Sequence, residues 1–358
     1  MPLSSPVMKA WRYTSTTGGL EKNHRLDTNT PLPDSATQLG PDQVLVEVHY
    51  AGINPVDYKF AEIPLLSRLL APRPATPGYD YAGKVVAVGP NSGKVSEDKL
   101  ELGQLVYGRL GGPSRYGTLA QYVVVPRDGA APLPEHVRLQ DAASIGTAGL
   151  SAYQSIVPFV RQGSRVFING GSGGTGAWGI QIAKELGCYV VASCSGRNEK
   201  LCRDLGADEV IDYQTTDLLP ALIKYDRPFD LVMDNAGNSN ALYWQMHQYT
   251  TPGAVFVQVA GTPSWEFMAE WLKRLLWPSV LGGAQRKLLH LRVRNNYADF
   301  VQMGKWLEEG KIQAVVEEVV PFAQVPRAFE QLKSHRVRGK VLIKVAEGEV
   351  EVKSGSSA

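Results

Sequence analysis

The residues with the clearest chemical pattern are Gly171-Ser172-Gly173-Gly174-Thr175-Gly176, four glycines in six positions. An apolar run, Val166 to Ile168, precedes them. Ile180, Ile182, Ala183 and Leu186 follow at roughly one-turn intervals, and a second apolar run covers Tyr189 to Ala192. The spacing predicts strand, tight turn, helix and strand, the first half of a dinucleotide-binding unit. The G-x-G-x-x-G pattern has meaning at that junction. Its first glycine makes the turn and its second lets backbone N–H groups reach a pyrophosphate. The third lets the helix lie close to the strand, with the positive end of its dipole toward the phosphates. Gly171, Ser172, Gly173, Gly174 and Thr175 are therefore expected to hold a cofactor pyrophosphate.

The end of the second strand selects the nucleotide. A site for NAD carries an acidic side chain there, about twenty residues past the first glycine. Here the chain reads Ser193-Cys194-Ser195-Gly196-Arg197-Asn198-Glu199-Lys200, with no carboxylate at the strand end. A hydroxyl, a guanidinium and an ammonium suit a 2′-phosphate, so NADPH is the expected cofactor, with Ser195, Arg197 and Lys200 around its phosphate.

The elements that must carry this site fall into two halves. At 358 residues the chain is long enough for two domains. Residues 8–13 and 43–50 alternate apolar and polar, as half-buried strands do. Residues 51–59, AGINPVDYK, read as a loop bent at Pro55. Short strands at 84–88, 106–108 and 119–125 among turn signals suggest a small β-barrel. From about Ser144 the pattern changes to strand–helix alternation. Strands are predicted at 165–169, 188–193, 209–212, 229–234 and 254–260, and helices at 144–157, 176–187, 198–205, 217–224 and 240–249. That spacing predicts a parallel, doubly wound sheet. Helices follow at 297–309 and 325–334. A last strand at 340–345 is expected to return to the barrel, leaving the cofactor in the cleft between domains. The domains are thus 1–143, completed by 321–358, and 144–320.

Residues 264–291, SWEFMAEWLKRLLWPSVLGGAQRKLLHL, combine apolar and aromatic residues with Lys273, Arg274, Arg286 and Lys287. They read as an amphipathic insertion: a helix on a membrane surface, a subunit interface, or a lid over an apolar substrate.

Composition excludes several classes. A net charge of +2 implies no nucleic-acid partner. Cys188, Cys194 and Cys202 form neither a disulfide framework nor a zinc-site spacing, so reduced thiols are expected. The N-terminal residues lack a secretory or transit pattern, and no window has eighteen uninterrupted apolar residues. The cytoplasm is the expected location.

Together, Gly52-Ile-Asn-Pro-Val-Asp57, Pro77-Gly-Tyr-Asp-Tyr-Ala-Gly83, Thr147-Ala-Gly149, the nucleotide unit and Gly206-Ala-Asp-Glu-Val-Ile-Asp-Tyr213 resemble the medium-chain dehydrogenase/reductase superfamily over nearly the full length. The resemblance implies a GroES-like barrel domain, a Rossmann domain and hydride transfer in the cleft between them. The zinc alcohol dehydrogenases of that superfamily carry a cysteine where this chain has Asn54, and Gly-His-Glu where it has Gly78-Tyr79-Asp80. Residues 90–117, where the structural zinc lobe would lie, contain no cysteine. Neither Asn nor Tyr is a plausible catalytic zinc ligand, so no metal is expected. The chain looks like the zinc-free branch of quinone oxidoreductases and enoyl reductases, and especially like fungal members.

The resemblance implies that Asn54 contacts the nicotinamide ribose region, that Thr147 lies by the nicotinamide, that Tyr213 joins the 2′-phosphate group, and that Asn235 lies near the cofactor at the end of the fourth strand. It also implies a dimer formed by pairing sheet edges. Lys59 sits where polyketide enoyl reductases have a cleft lysine, and its ammonium could stabilise an enolate or relay a proton. Tyr58 and Tyr79 are alternative donors, while Asp57 and Asp80 are expected to orient the loop. The leading reading is reduction of a quinone or an activated C=C by NADPH. The alternatives are a dedicated enoyl reductase of a biosynthetic pathway, and a membrane- or lipid-droplet-associated adaptor with a vestigial reductase fold.

Overall fold

A computed structural model describes residues 7–36, 38–63, 65–90, 99–237, 240–259, 261, 265–277 and 285–347. The first half is built on mostly antiparallel strands. They are β1 (Val7–Arg12), β2 (Arg25–Pro31), β3 (Gln43–Ile53), β4 (Asp80–Val88), β5 (Leu105–Arg109), β6 (Tyr122–Pro126) and β7 (Ala130–Pro132). The long strand β3 organises this half: it pairs with β4 along its length and with β6 at its start. Helices α1 (Pro55–Ala61) and α2 (Leu66–Leu70) follow β3. The segment 51–59 is therefore not a loop. Pro55 takes the first helical position, where its missing N–H costs nothing.

After α3 (Leu139–Ala142) and α4 (Gly146–Ile156) come six parallel strands: β8 (Arg165–Asn169), β9 (Tyr189–Cys194), β10 (Glu209–Asp212), β11 (Phe229–Asp234), β12 (Thr250–Gln258) and β13 (Lys287–His290). Their order is β10-β9-β8-β11-β12-β13, the doubly wound arrangement expected from the sequence. Strand residues alternate between two cores. Val166, Ile168, Leu231 and Met233 pack with α4 and with α5 (Gly174–Glu185). Phe167, Val191, Val232 and Phe256 face the opposite layer, where α7 (Leu218–Ile223) and α8 (Asn240–Trp244) lie; α6 (Glu199–Asp204) joins β9 to β10. The chain order reverses between β8 and β11, so the loops after these strands frame the crevice in which such sheets bind ligands.

Two expectations need correction. Segment 264–291 is not one helix: α9 (Trp265–Leu276) ends two residues before a proline, which cannot continue a helix, and 287–290 is the edge strand β13. Of its basic residues Arg274 is half-buried and Lys273 is exposed. Arg274 donates to Gln258 Oε1 and Asn240 Oδ1, both at 2.6 Å, and Lys273 lies over the Trp244 ring. Finally, after α10 (Tyr297–Glu308), strand β14 (Val316–Pro321) already belongs to the barrel sheet, so the chain crosses back before 316 and not at 321. Strand β14, α11 (Val325–Lys333) and β15 (Lys340–Lys344) form one β-α-β unit, which keeps both strands in a single sheet. As expected, β15 returns to the barrel, antiparallel to β3.

Candidate active site

The dinucleotide loop connects β8 to α5. A Cβ on Gly176 would come within 2.1 Å of the Gly170 carbonyl oxygen, so the helix can start this close to the strand only with glycine there. A Cβ on Gly173, in contrast, would meet only the Gly170 oxygen, at 3.7 Å, which leaves room above the loop. Buried hydrogen bonds fix the turn from beneath. The Gly170 N–H donates to Ser193 Oγ (3.0 Å), Ser193 Oγ donates to Asn169 Oδ1 (2.6 Å), and the Asn169 amide donates to Asp234 (2.8 Å). Across the crevice, both polar atoms of the Asn235 side chain are buried without a partner among the described residues. Unmade hydrogen bonds of a buried amide are costly, and a bound polar ligand would satisfy them. Open room over the loop, the helix start and the orphaned amide fit a dinucleotide.

The residues expected around a 2′-phosphate gather at one edge. Ser195 and Tyr213 follow adjacent strands whose ends are paired, Asp212 opposite Cys194. Arg197 is exposed nearby and donates to the Arg336 carbonyl at 3.3 Å, so the α11–β15 loop reaches this edge. Lys200 is committed differently: its ammonium bonds Asp204 at 2.7 Å, one helical turn on. No motif points to Arg336, because only the folded barrel brings it here.

The other wall of the cleft is a buried polar network centred on Asp80, which has no solvent exposure. Asp80 Oδ1 accepts from the Thr147 N–H (2.8 Å) and the Thr147 hydroxyl (2.6 Å). Its Oδ2 accepts from the Asn54 amide (2.7 Å) and the Lys340 ammonium (3.3 Å). Lys340 Nζ also donates to Asn54 Oδ1 and to the Ile53 carbonyl (3.1 Å). A Cβ on Gly146 would overlap the Asp80 carboxyl at 2.1 Å, so glycine there lets α4 close on Asp80. One residue before Lys340, the Gly339 N–H donates to the Ser172 carbonyl (2.9 Å), which joins the network to the dinucleotide loop.

These contacts revise several expected roles. Asn54 spends both amide hydrogens on Asp80 and the Gly52 carbonyl, leaving none for a cofactor ribose. Thr147 gives its hydroxyl hydrogen to Asp80 while Arg109 Nε donates to its oxygen (3.2 Å), so it offers an acceptor and not a proton. Tyr58 lies in the barrel core, 6% exposed, with the Lys333 ammonium over its ring. Tyr79 is buried, and burial raises its pKa, so at neutral pH it is a hydrogen-bond donor and no acid. Lys59 is half-buried and donates to the Gly261 carbonyl at 3.3 Å, bridging α1 to the segment after β12; burial lowers its pKa. Asp57 accepts the Asn54 N–H at 2.6 Å as the acidic half of a capping arrangement. Burial, and then repulsion from Asp80, lift its pKa to about 8.

Sequence reasoning missed Lys340, Arg109 and Asn295. The one available signal was a lysine inside the apolar run Lys340 to Val345, where an unpaired charge would be expensive.

The pairing of this barrel with this nucleotide sheet is matched by two family models. Residues 40–135 match the alcohol dehydrogenase GroES-like domain, and residues 205–343 match the zinc-binding dehydrogenase domain. The chain belongs to the medium-chain dehydrogenase/reductase superfamily. It is 48% identical over 348 residues to the trans-enoyl reductase pgmF of Aspergillus terreus, covering 95% of this chain and 97% of that one. A zinc-type alcohol dehydrogenase-like protein of Schizosaccharomyces pombe is 33% identical, covering 94% and 96%. Among solved structures, the quinone oxidoreductase from Coxiella burnetii superposes with a TM-score of 0.79 at 28% identity, covering 95% of this chain and 99% of that one. The protein is thus an oxidoreductase of the enoyl-reductase branch that works with a nicotinamide cofactor.

The zinc of the family-model name does not suit this donor set. Among the described residues no group of three His, Cys, Asp or Glu could hold a metal ion. Asn54 is spent within the protein, and the Lys340 ammonium already supplies a positive charge beside Asp80.

Proposed function

We propose that the protein is an NADPH-dependent, zinc-independent reductase of an activated carbon–carbon double bond, in an enone, a 2-alkenal or an enoyl thioester carrying an apolar chain. The observation that carries this reading is the Asp80 network: a preorganised, charge-balanced wall joined through Gly339 to the dinucleotide loop, with Lys59 spanning the cleft. NADPH, when bound, supplies the hydride. The chain supplies the rest. The α5 start and Ser172 to Thr175 hold the pyrophosphate, and Asn235 offers its unused amide to the cofactor. Thr147 presents an acceptor lone pair beside the nicotinamide. Reducing the double bond adds hydride at the β-carbon and a proton at the α-carbon, and negative charge builds on the conjugated oxygen between these events. Lys59, whose pKa is lowered by burial, is the residue we assign to donate that proton. The preference for NADPH rests on Ser195, Arg197 and Tyr213 at the β9–β10 edge, with Arg336 alongside.

The similarity to a quinone oxidoreductase supports a second acceptor class, quinones, for the same site. The dinucleotide cradle and its orphaned amide speak against a vestigial adaptor. The position of β13 at the end of the nucleotide sheet, among the described residues, supports a dimer formed by edge pairing. Fluorescence titration with NADPH and NADH, followed by absorbance assays with enones, enoyl thioesters and quinones, tests the reading. Tight NADPH binding with enone or thioester turnover is expected, and equal affinity for NADH would overturn the cofactor preference. Lys59→Met is expected to lower kcat at least tenfold with little change in NADPH affinity; a kcat within threefold of wild type removes Lys59 from the mechanism.

A further inference from the structure

Arg109 is 6% exposed at the end of β5, on the seam between the barrel and the nucleotide sheet. A cation this buried is ordinarily paired with a carboxylate. Arg109 makes no ion pair among the described residues. Its Nε donates to Thr147 Oγ1 (3.2 Å), and its Nη1 donates to Asn295 Oδ1 (3.1 Å). The Asn295 amide returns a hydrogen bond to the Arg109 carbonyl at 3.1 Å, gripping the residue at both ends. The guanidinium lies 5.9 Å from the centre of the Tyr79 ring. Its remaining nitrogen, Nη2, has no hydrogen-bond partner among the described residues.

A desolvated guanidinium with one free end, one hydrogen bond from Thr147, has the form of an anion-stabilising donor. Lys340 cannot do this work, because Ile53, Asn54 and Asp80 consume its ammonium. Asn295 fixes the Arg109 rotamer beforehand, so little ordering remains to be done when a ligand arrives.

We infer that Arg109 is a catalytic residue that holds the carbonyl oxygen of the acceptor through Nη2 and stabilises the negative charge that grows there during hydride transfer. The acceptor it fits is a conjugated carbonyl compound whose oxygen points toward Thr147 and away from Lys59. Lys59 is then left to deliver the proton to the α-carbon. The inference rests on the proposed double-bond reduction. It predicts that weakly activated acceptors, such as enoyl thioesters, depend on Arg109 more than intrinsically electrophilic quinones do.

The test uses the full chain, Arg109→Gln and Arg109→Ala, with NADPH binding read by fluorescence and hydride transfer read in single turnover. Removing one such donor lowers the chemical step on the order of 100-fold. The expected result is that loss on an enoyl thioester in Arg109→Gln, a smaller loss on a quinone, NADPH affinity within threefold of wild type, and partial recovery of Arg109→Ala by added guanidinium ion. A single-turnover rate within threefold of wild type overturns the inference. So does an equal loss on both acceptors without rescue, which marks Arg109 as a structural clamp on Asn295. If wild type itself oxidises NADPH with none of these acceptors, the proposed function fails first.

Discussion

Replacing Lys340 by methionine tests whether the Asp80 network holds the cleft wall together. The change keeps most of the side-chain stem and removes the ammonium, so it opens little cavity. What is lost is electrostatic. Lys340 and Asp80 are 3.3 Å apart and almost wholly buried, at 3% and 0% side-chain exposure. At an effective dielectric near 20 their attraction is worth about 5 kcal/mol. The mutation leaves the Asp80 carboxyl buried without its cation, and breaking such a pair on one side costs about 3–5 kcal/mol. Unfolding in urea, followed by tryptophan fluorescence at neutral pH, is expected to show a loss of that size. Lys340→Met with Asp80→Asn should recover part of it, because no uncompensated carboxylate then remains. A single-mutant loss below about 1 kcal/mol, or strict additivity in the double mutant, would refute the pairing as a stability element.

Three further outcomes follow from the geometry. Gly176→Ala places a methyl 2.1 Å from the Gly170 oxygen, and should weaken NADPH binding at least tenfold in a fluorescence titration. Arg197→Ala should weaken NADPH by about tenfold, the worth of one charge-assisted hydrogen bond, and leave NADH unchanged in parallel titrations. Asp57 has a folded pKa near 8, above its unfolded value, so the folded state binds the extra proton. Its contribution is complete in acid and is lost as pH rises toward 8, with a limiting slope of about 1.4 kcal/mol per pH unit. Asp57→Asn should flatten the pH dependence of denaturation midpoints measured between about pH 4 and pH 8.

The nucleotide half of the fold was legible because its signals are local. A strand such as β8 carries its own apolar run, the glycines sit at its end, and five parallel strands fall within a few residues of their expected places. Proline at the start of α1 misled because the same residue starts helices and bends loops. Strand β13 was hidden inside an aromatic-rich segment whose composition suggested a single helix. The buried Asp80 network was least legible. Asp80, Asn54, Lys340, Thr147 and Arg109 come from five distant places, and only the pairing of β4 with β3 and β5, of β3 with β15, and the docking of α4 on Asp80 bring them together. For the same reason Asn54 and Thr147 hold partners in the Asp80 network that no motif reveals.

The most direct test of the central claim follows the hydride. Wild-type protein is given an enone and NADPH deuterated at C4 of the nicotinamide, and the product is read by proton NMR. Deuterium on the β-carbon of a saturated ketone is the predicted result. Deuterium on the carbinol carbon of an allylic alcohol would contradict it, because the cleft would then be reducing the carbonyl and not the double bond.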